Sequence, residues 1–161
     1  MDIKITMLRE DAIMPFRGHG IDAGLDCPVP DAGVLKPGPN KIPLGWSMEI
    51  PVGYCAAMYS RSGMASGEKS LDMLVELDDY EDLHVKECHA NGAAITAENP
   101  PIDPGYTGEA HAIITNHSGM HIKYDRGTRF SQLVVHPMAY ANPVLSTDTG
   151  RKDAGFGSTG T

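Results

Sequence analysis

Short apolar segments separated by glycine and proline recur along this chain and predict many short β-strands. Ile3, Ile5 and Met7 alternate with polar residues and predict an opening strand over 2–8. Apolar positions bounded by turn residues predict further strands over 41–50, 54–59, 110–115 and 130–137. The 18 glycines and 12 prolines are scattered along the chain, a distribution typical of an all-β barrel or sandwich.

The length and the remaining composition favour one compact domain. A chain of 161 residues has the size of a single core, and one short helix is predicted after Arg61-Ser62-Gly63. The sequence has neither an apolar run of membrane-span length nor a charged and then apolar leader, so we expect a protein that is neither secreted nor membrane-bound. Three widely spaced cysteines (Cys27, Cys55, Cys88) indicate a reducing compartment, without a disulfide framework or zinc ribbon.

The segment 68–92 departs from this pattern. Its apolar residues alternate over 71–77 as in a strand, and also recur every third position over 71–83, so helix and hairpin both remain open. Six carboxylates against one lysine lie between Glu76 and Glu87. We interpret the segment as an acidic, solvated insertion. His84, Cys88 and His89 could ligate a metal, but no fourth ligand or repeated spacing supports this.

The overall charge limits the partners that this protein can bind. A formal net charge of −8 argues against a broad nucleic-acid interface, which needs a basic face. A small polyanion can still be bound locally by a few arginines, backbone amides and a divalent cation.

Four clusters carry residues suited to such a ligand. In chain order these are Ala23-Gly24-Leu25-Asp26, Ser60-Arg61-Ser62-Gly63, the turn 101–109 with Asp103 and Tyr106, and the strand start 126–135 with Arg129 and Gln132. Each cluster has an ordinary structural explanation: an Asp in a turn, a helix cap, a Pro-Gly turn, or a polar strand residue that satisfies the backbone. Individually, therefore, none is decisive.

The C-terminal segment carries a fifth cluster. Arg151 precedes the run Gly155-Phe156-Gly157-Ser158-Thr159-Gly160-Thr161. Such a glycine-rich end frays when alone. It can equally close over a nucleotide, because an aromatic ring stacks on a base while hydroxyls and a guanidinium bind phosphates.

The order of the five clusters is specific, and it resembles the five motifs of the homotrimeric dUTP diphosphatases. The resemblance covers nearly the whole chain except 68–92. It implies an all-β, jelly-roll-like (β-clip) fold with one short helix, a domain over 1–150 and a flexible lid over 151–161. It further implies Mg²⁺-assisted hydrolysis of dUTP to dUMP and pyrophosphate in the cytoplasm (the host cytoplasm for a viral member), which limits uracil in DNA and supplies dUMP for dTMP synthesis.

Roles at the reacting end follow from the same resemblance. Asp103 would activate the water that attacks the α-phosphorus, and Tyr106 would lie under the deoxyribose and exclude a 2′-hydroxyl. Backbone groups near Ile102 would meet the uracil edge. Asn99 and His111 would also contact substrate, although Asn99 lies closer to Asp103 than is usual and His111 could be purely structural.

The resemblance assigns the phosphates to other residues. Arg61, Ser62 and Gly63 would bind them together with Gln132. Asp26 would help to hold Mg²⁺ through water. In the lid, Arg151 would reach the γ-phosphate, Phe156 would stack on uracil, and Gly157, Ser158 and Thr159 would wrap the phosphates. Three subunits would share each active site.

Two departures from the family pattern stand out. Thr128 occupies the position before Arg129 that is usually acidic, so we expect a different contact to orient this arginine. The insertion over 68–92 could cover the site or bind a regulatory protein, as inserts of some viral members do.

Three alternatives are weighed against this hypothesis: a related enzyme, a regulatory protein and a P-loop protein. A dCTP deaminase shares the fold and an Asp-Pro-Gly turn, but it needs a glutamate proton shuttle and typically a second serine where Gly63 stands. A regulatory protein that has lost catalysis is disfavoured because the required residues are present. A P-loop is excluded because no Gly-Lys-Ser/Thr occurs.

Overall fold

Antiparallel β-strands make up almost all of the secondary structure, as predicted. The computed structural model describes residues 1–65, 71–74, 89–90, 95–97 and 99–145. Within these ranges the elements are β1 (Lys4–Met7), β2 (Leu25–Pro28), β3 (Gly33–Leu35), β4 (Gly38–Pro43), β5 (Trp46–Glu49), β6 (Tyr54–Ser60), α1 (Ser62–Ala65), β7 (Leu71–Leu74), β8 (His89–Ala90), β9 (Ile95–Ala97), β10 (His111–Asn116), β11 (His121–Tyr124) and β12 (Arg129–Pro137).

These strands form small antiparallel sheets, with strand orders β1-β5, β4-β10-β9, β3-β11-β7-β8 and β2-β12-β6 in the described part of the chain. The last sheet is the framework of the site. Its central strand β12 pairs with β6 from Ser131↔Ser60 to Pro137↔Tyr54 and with β2 across an irregularity near Arg129. A short helix near the end of β6 was predicted, but α1 begins at Ser62, inside the motif Arg61-Ser62-Gly63 and not after it.

The core follows from the alternation of apolar and polar positions. Strand β10 alternates half-buried and buried residues along its whole length, as a strand with one inward face must. Trp46 and Phe130 are the largest fully buried side chains. The ring of Phe130 meets Tyr124 edge-on with centroids 5.3 Å apart, a favoured aromatic geometry.

The predicted strand 41–50 is wrong in one respect, because it is two strands. Strand β4 ends at Pro43 and β5 begins at Trp46, with Gly45 between them at a φ of 76°. This left-handed conformation favours glycine and interrupts the ladder. The short strands β2, β9 and β11 were not predicted, since three or four residues carry too little periodicity.

The two described parts of the predicted insertion, β7 and β8, lie in a sheet. Strand β7 pairs with β11 on one side and with β8 on the other. In these parts the strand alternative is therefore correct. Residues 75–88, including His84 and Cys88, lie outside the described residues.

Two of the three cysteines are described, and both are free thiols. Burial raises the pKa of the Cys27 thiol to about 12, so it stays protonated at neutral pH. Cys88 lies outside the description. Among the described helices, none is long and apolar enough to cross a membrane.

Candidate active site

A polar cavity, here called the arginine pocket, lies where β2, β6 and β12 end near one another. Its volume is about 520 Å³, and it is lined by Gly18, His19, Asp22, Ala23, Gly24, Asp26, Arg61, Ser62, Arg129 and Gln132. The structure thus brings together residues from three of the predicted clusters. It also adds a contribution from the loop before β2.

Asp26 joins two arginines of the arginine pocket. Its Oδ1 accepts a hydrogen bond from Nε of Arg61 at 2.6 Å, and its Oδ2 accepts one from Nη1 of Arg129 at 2.9 Å. Asp26 is only 8% exposed, so these charge-assisted bonds compensate its desolvation. One carboxylate therefore orients both guanidinium groups.

Phe16 gives Arg129 a second support. The guanidinium carbon of Arg129 lies 5.8 Å from the centroid of the Phe16 ring, within cation–π range. Phe16 also exchanges two backbone hydrogen bonds with Asp26, at 3.1 and 2.7 Å. Asp26 and Phe16 thus provide the orienting contacts that Thr128, which is not acidic, does not supply.

Gln132 passes close to the glycine of the first cluster. A β-carbon on Gly24 would lie 2.6 Å from Oε1 of Gln132 and 2.9 Å from its Cβ. Nε2 of Gln132 donates to the Ser60 carbonyl at 3.4 Å. Glycine is therefore required at 24 by the approach of this side chain.

Ser62 lies at the edge of the arginine pocket beside Arg61. It is exposed and begins α1. Gly63 follows it and is not among the residues that line the arginine pocket. The structure therefore brings Arg61, Ser62 and Gln132 to one pocket.

A second cavity, here called the turn pocket, lies over β10 beside the segment 99–106. Its volume is about 250 Å³, and it is lined by Lys41, Asn99, Pro100, Pro101, Ile102, Asp103, Tyr106, Glu109, Ala110, His111 and Ile113. Five of the predicted site residues are among them: Asn99, Ile102, Asp103, Tyr106 and His111.

Asp103 opens a tight turn at the mouth of the turn pocket. Pro104 and Gly105 occupy the middle of this turn, with Gly105 at a φ of 86°, and Tyr106 N–H donates to the Asp103 carbonyl at 3.2 Å. This is the composition of a type II turn. The carboxylate of Asp103 is exposed, which leaves it open to water.

The side chain of Tyr106 packs against the backbone of Gly108. Its hydroxyl donates to the Glu109 carbonyl at 3.0 Å. A β-carbon on Gly108 would lie 2.5 Å from that hydroxyl, so the ring lies directly against the Gly108 backbone. The ring remains 44% exposed and presents a flat apolar wall to a ligand.

Two residues that line the turn pocket also have partners within the fold. Ile102 exchanges backbone hydrogen bonds with Ala56, at 2.7 and 3.0 Å, so its own N–H and carbonyl are engaged in the sheet. The Asn99 amide donates to the His111 carbonyl at 2.7 Å and accepts from Ile113 N–H at 3.0 Å. Asn99 thus behaves as part of the strand ladder and shapes the wall beside Ile102.

His111 lies on the return strand, as predicted, and its protonation pattern follows from its neighbour. Its Nδ1 lies 2.8 Å from the Glu109 carbonyl oxygen. A carbonyl only accepts, so Nδ1 carries the proton and Nε2 of the neutral ring is an acceptor. His111 lines the turn pocket.

Several lining residues were not predicted as site residues. Arg129 and Glu109 lie inside the sequence clusters, and their charged side chains could have indicated that they line the site. His19, Asp22 and Lys41 lie in loops or on an exposed strand, where nothing in the sequence distinguishes them. Tertiary structure alone brings them to the two pockets.

The described residues provide no group of three or more His, Cys, Asp or Glu side chains that could hold a metal ion. Asp26 is engaged by two arginines, although each carboxylate oxygen keeps a further lone pair. Asp26 therefore keeps acceptor capacity for a water molecule. Arg151 and 156–159 lie outside the described residues.

Comparison with known proteins finds similarity to dUTPases along the chain. The dUTPase family model matches residues 86–160. The deoxyuridine 5'-triphosphate nucleotidohydrolase of Trichodesmium erythraeum (strain IMS101) is 32% identical over 167 residues, with 100% of both chains covered. That of Crocosphaera subtropica (strain ATCC 51142 / BH68) is 32% identical over 166 residues, with 99% of both covered.

Solved structures agree on the fold. The Staphylococcus bacteriophage 80alpha dUTPase with dUPNHPP superimposes with a TM-score of 0.74 at 22% identity, covering 99% of both chains. The dUTPase from phage phi11 of S. aureus, which has a species-specific insert, gives 0.70 at 21% identity, covering 94% of this chain and 99% of that one. The predicted dUTPase-like fold is confirmed, and the full-length sequence matches show that the chain belongs to the deoxyuridine 5'-triphosphate nucleotidohydrolase (dUTPase) family.

Proposed function

We propose that this protein hydrolyses dUTP to dUMP and pyrophosphate. The observation that carries the proposal is the exposed carboxylate of Asp103, held on a type II turn beside the Tyr106 ring at the mouth of the turn pocket. In the cell this reaction limits the incorporation of uracil into DNA and supplies dUMP for dTMP synthesis.

Asp103 acts as the general base. Its carboxylate takes a proton from a water molecule, the water oxygen bonds to the α-phosphorus, and the bond from that phosphorus to the bridging oxygen of the β-phosphate breaks. Pyrophosphate leaves with the bridging oxygen. Tyr106 lies under the deoxyribose and excludes a 2′-hydroxyl, and the walls of the turn pocket hold uracil. Positioning supplies most of the rate in such phosphoryl chemistry.

The arginine pocket binds the triphosphate through Arg61, Ser62 and Gln132, with Gly63 and Arg129 beside them. Its two arginines are balanced by Asp22 and Asp26, so its fixed charges do not neutralise a triphosphate. Further positive charge must come with the substrate or from the C-terminal segment. This charge balance supports a role for Mg²⁺ and for Arg151 in neutralising the triphosphate.

Asp26 would hold Mg²⁺ through a water molecule when the ion is bound together with the nucleotide. When bound, the ion neutralises phosphate charge and polarises the reacting phosphoryl group. A structural Mg(II) ion is coordinated in a mutant of the phage phi11 dUTPase. Removal of Mg²⁺ by a chelator should reduce dUTP turnover and the affinity for pyrophosphate together.

We further propose a homotrimer with shared active sites. The two pockets of one chain have no lining residue in common, whereas one nucleotide must fill a base site and a phosphate site at once. The segment after β12 also carries Tyr140, Val144 and Leu145, which are 63, 85 and 97% exposed and suit contact with another copy.

Complementation tests this sharing. Asp103→Asn and Arg61→Ala chains, each inactive alone, should regain partial dUTP turnover when they are co-expressed and form mixed trimers. Activity that never returns in trimers shown to be mixed would argue that each site is built from one chain.

The segment 151–161 closes the site as a lid. Arg151 binds the γ-phosphate, Phe156 stacks on uracil, and Gly157, Ser158 and Thr159 wrap the phosphates. Deleting 151–161 should reduce turnover strongly and leave the melting temperature unchanged. A large loss of thermal stability would instead make the segment part of the folded domain over 1–150.

A substrate panel tests the reaction. The protein is incubated with dUTP, dCTP, dTTP or UTP and Mg²⁺ while pyrophosphate and ammonia are measured. Pyrophosphate from dUTP alone is the expected result. Ammonia from dCTP would identify a deaminase, and no product from any nucleotide would favour a regulatory protein.

Asp103→Asn tests the base. We expect turnover to fall by about 10²- to 10⁴-fold, with dUTP binding retained in calorimetry. Asp125→Asn is a matched control, because Asp125 opens a similar turn with Gly127 at a φ of 83° and accepts from Thr128 N–H at 3.1 Å. Near-normal turnover of Asp103→Asn would remove Asp103 from this role.

The insertion over 68–92 supports a second, regulatory function. Its described parts are the paired strands β7 and β8, so the acidic residues over 75–88 can be removed at a sheet edge without cutting the site. Phage dUTPases of the 80alpha type are described as controlling the transfer of virulence genes. We infer that the insertion binds a regulatory protein with a basic surface.

Replacing 75–88 by a short Gly-Ser linker tests the insertion. We expect unchanged dUTP turnover and loss of a salt-sensitive protein partner that the full chain retains. A partner retained equally by both chains would contradict the inference.

The free thiols of Cys27 and Cys55 support a cytoplasmic location for this protein, the host cytoplasm if it is viral.

A further inference from the structure

Glu109 closes a defect in the sheet next to the turn pocket. Leu44 N–H donates to the Ala110 carbonyl at 3.0 Å, and Ala110 N–H donates to the Trp46 carbonyl at 2.8 Å. Gly45 is therefore an extra residue opposite Ala110, in the manner of a β-bulge with a left-handed glycine. Its N–H is left out of this ladder.

The side chain of Glu109 satisfies that N–H. Its Oε1 accepts from Gly45 N–H at 2.8 Å, in a partly buried position. Gly45 is held in place, because its carbonyl accepts from Leu8 N–H at 2.8 Å, and a β-carbon there would lie 2.7 Å from Cβ of Ala12, so no larger residue fits. A carboxylate bound to a rigid backbone amide is a fixed anchor.

The anchored residue presents its own carbonyl to the site. The Glu109 carbonyl accepts from the Tyr106 hydroxyl at 3.0 Å and from Nδ1 of His111 at 2.8 Å. Tyr106 and His111 both line the turn pocket. The position of the Tyr106 ring and the tautomer of His111 therefore both depend on the Glu109 carbonyl.

We propose that Glu109 is a positioning residue that sets the sugar discrimination of the turn pocket through Tyr106. The proposal rests on the proposed function, in which the Tyr106 ring excludes a 2′-hydroxyl. A ring free to tilt leaves room for that hydroxyl. Losing the Glu109 anchor should therefore affect UTP and dUTP differently.

The experiment measures kcat/KM for dUTP and for UTP in Glu109→Ala and Glu109→Gln. The ratio of the two values should fall about three- to tenfold in Glu109→Ala, the scale of one hydrogen bond. Glu109→Gln keeps an acceptor for Gly45 N–H and should preserve the ratio within about twofold.

Tyr106→Phe supplies an independent check. It removes the hydrogen bond to the Glu109 carbonyl and should lower the same ratio. Because both changes act through one bond, the double variant should show less than the product of the two single effects. Fully multiplicative effects would overturn the proposal.

Asn40→Ala controls for a general loss of stability. Asn40 accepts from Lys36 N–H at 2.9 Å, so its removal also exposes a turn amide, but it does not contact Tyr106. We expect a lower melting temperature and an unchanged ratio. If Glu109→Ala behaves in the same way, Glu109 is only structural. If the wild-type protein does not hydrolyse dUTP at all, the proposed function fails instead.

Discussion

Arg129 donates from Nη1 to Oδ2 of Asp26 over 2.9 Å, although 103 positions separate the two residues in the chain. The other oxygen of the same carboxylate accepts from Arg61. This carboxylate therefore fixes the arginines that line the proposed phosphate site. Its loss should affect both folding and phosphate binding.

Asp26→Ala should lower the free energy of unfolding by about 2 kcal/mol, since two charge-assisted hydrogen bonds are lost. It should also lower kcat/KM for dUTP at least tenfold, because neither guanidinium is held. Denaturant unfolding and steady-state kinetics measure the two effects. Asp22→Asn is the control, because it removes one negative charge from the pocket and leaves the hydrogen bonds of Asp26 to both arginines in place. Equal losses in both variants would show that charge, and not positioning, is what Asp26 contributes.

Phe16→Leu should weaken phosphate binding through Arg129. The cation–π contact of a partly exposed pair is worth about 0.5–1 kcal/mol, so KM for dUTP should rise about twofold to fivefold. Phe16→Tyr keeps the ring and should behave like the wild type. Ile21→Ala changes an exposed apolar residue of the same loop and is the control, with an unchanged KM expected. A KM unaffected by Phe16→Leu would make this contact incidental.

Gly24→Ala should destabilise the arginine pocket. The new methyl group would lie 2.6 Å from Oε1 of Gln132, and overpacking of this kind costs about 1–3 kcal/mol. Thermal unfolding is the measurement. Gly20→Ala is the matched control, because nothing lies within 4 Å of its added carbon. A second change, Gln132→Ala, should restore stability to Gly24→Ala but not activity; failure to restore stability would mean that the clash lies elsewhere.

The ion cluster around Arg9 predicts a pH dependence of stability. Hydrogen bonds from Arg9 lower the pKa of Asp11 and of Asp31 below their ordinary value of 3.8. Carboxylates with lowered pKa values stabilise the folded state above pH 3.8, and this contribution is lost as the pH falls through their folded values.

Arg9→Gln should therefore lower the melting temperature at neutral pH, and its difference from the wild type should shrink as the pH falls below 3.8. Lys4→Gln, which breaks the exposed ion pair with Glu49, serves as the comparison. A difference between Arg9→Gln and the wild type that stays constant down to strongly acidic pH would contradict the role of these carboxylates.

Local patterns were sufficient for much of the fold. The strands around residues 54–60 and 129–137 were predicted nearly to their ends, because long apolar runs between turn residues have few alternatives. Short strands such as β2 and β9 were missed, since their pairing depends on distant partners. The break at Gly45 was missed for a related reason: a bulge is defined by the opposing strand.

The sequence by itself determined the chemistry that this protein carries, because the types and order of residues in the five clusters are encoded locally. It placed Asp103 and Tyr106 on one turn, since Pro104 and Gly105 specify that turn without outside help. Only the tertiary structure decided how these groups are held. Hydrogen bonds between residues far apart in the chain leave no periodic signal, and so the carboxylates of Asp26 and Glu109 acquired their partners only when the sheets assembled.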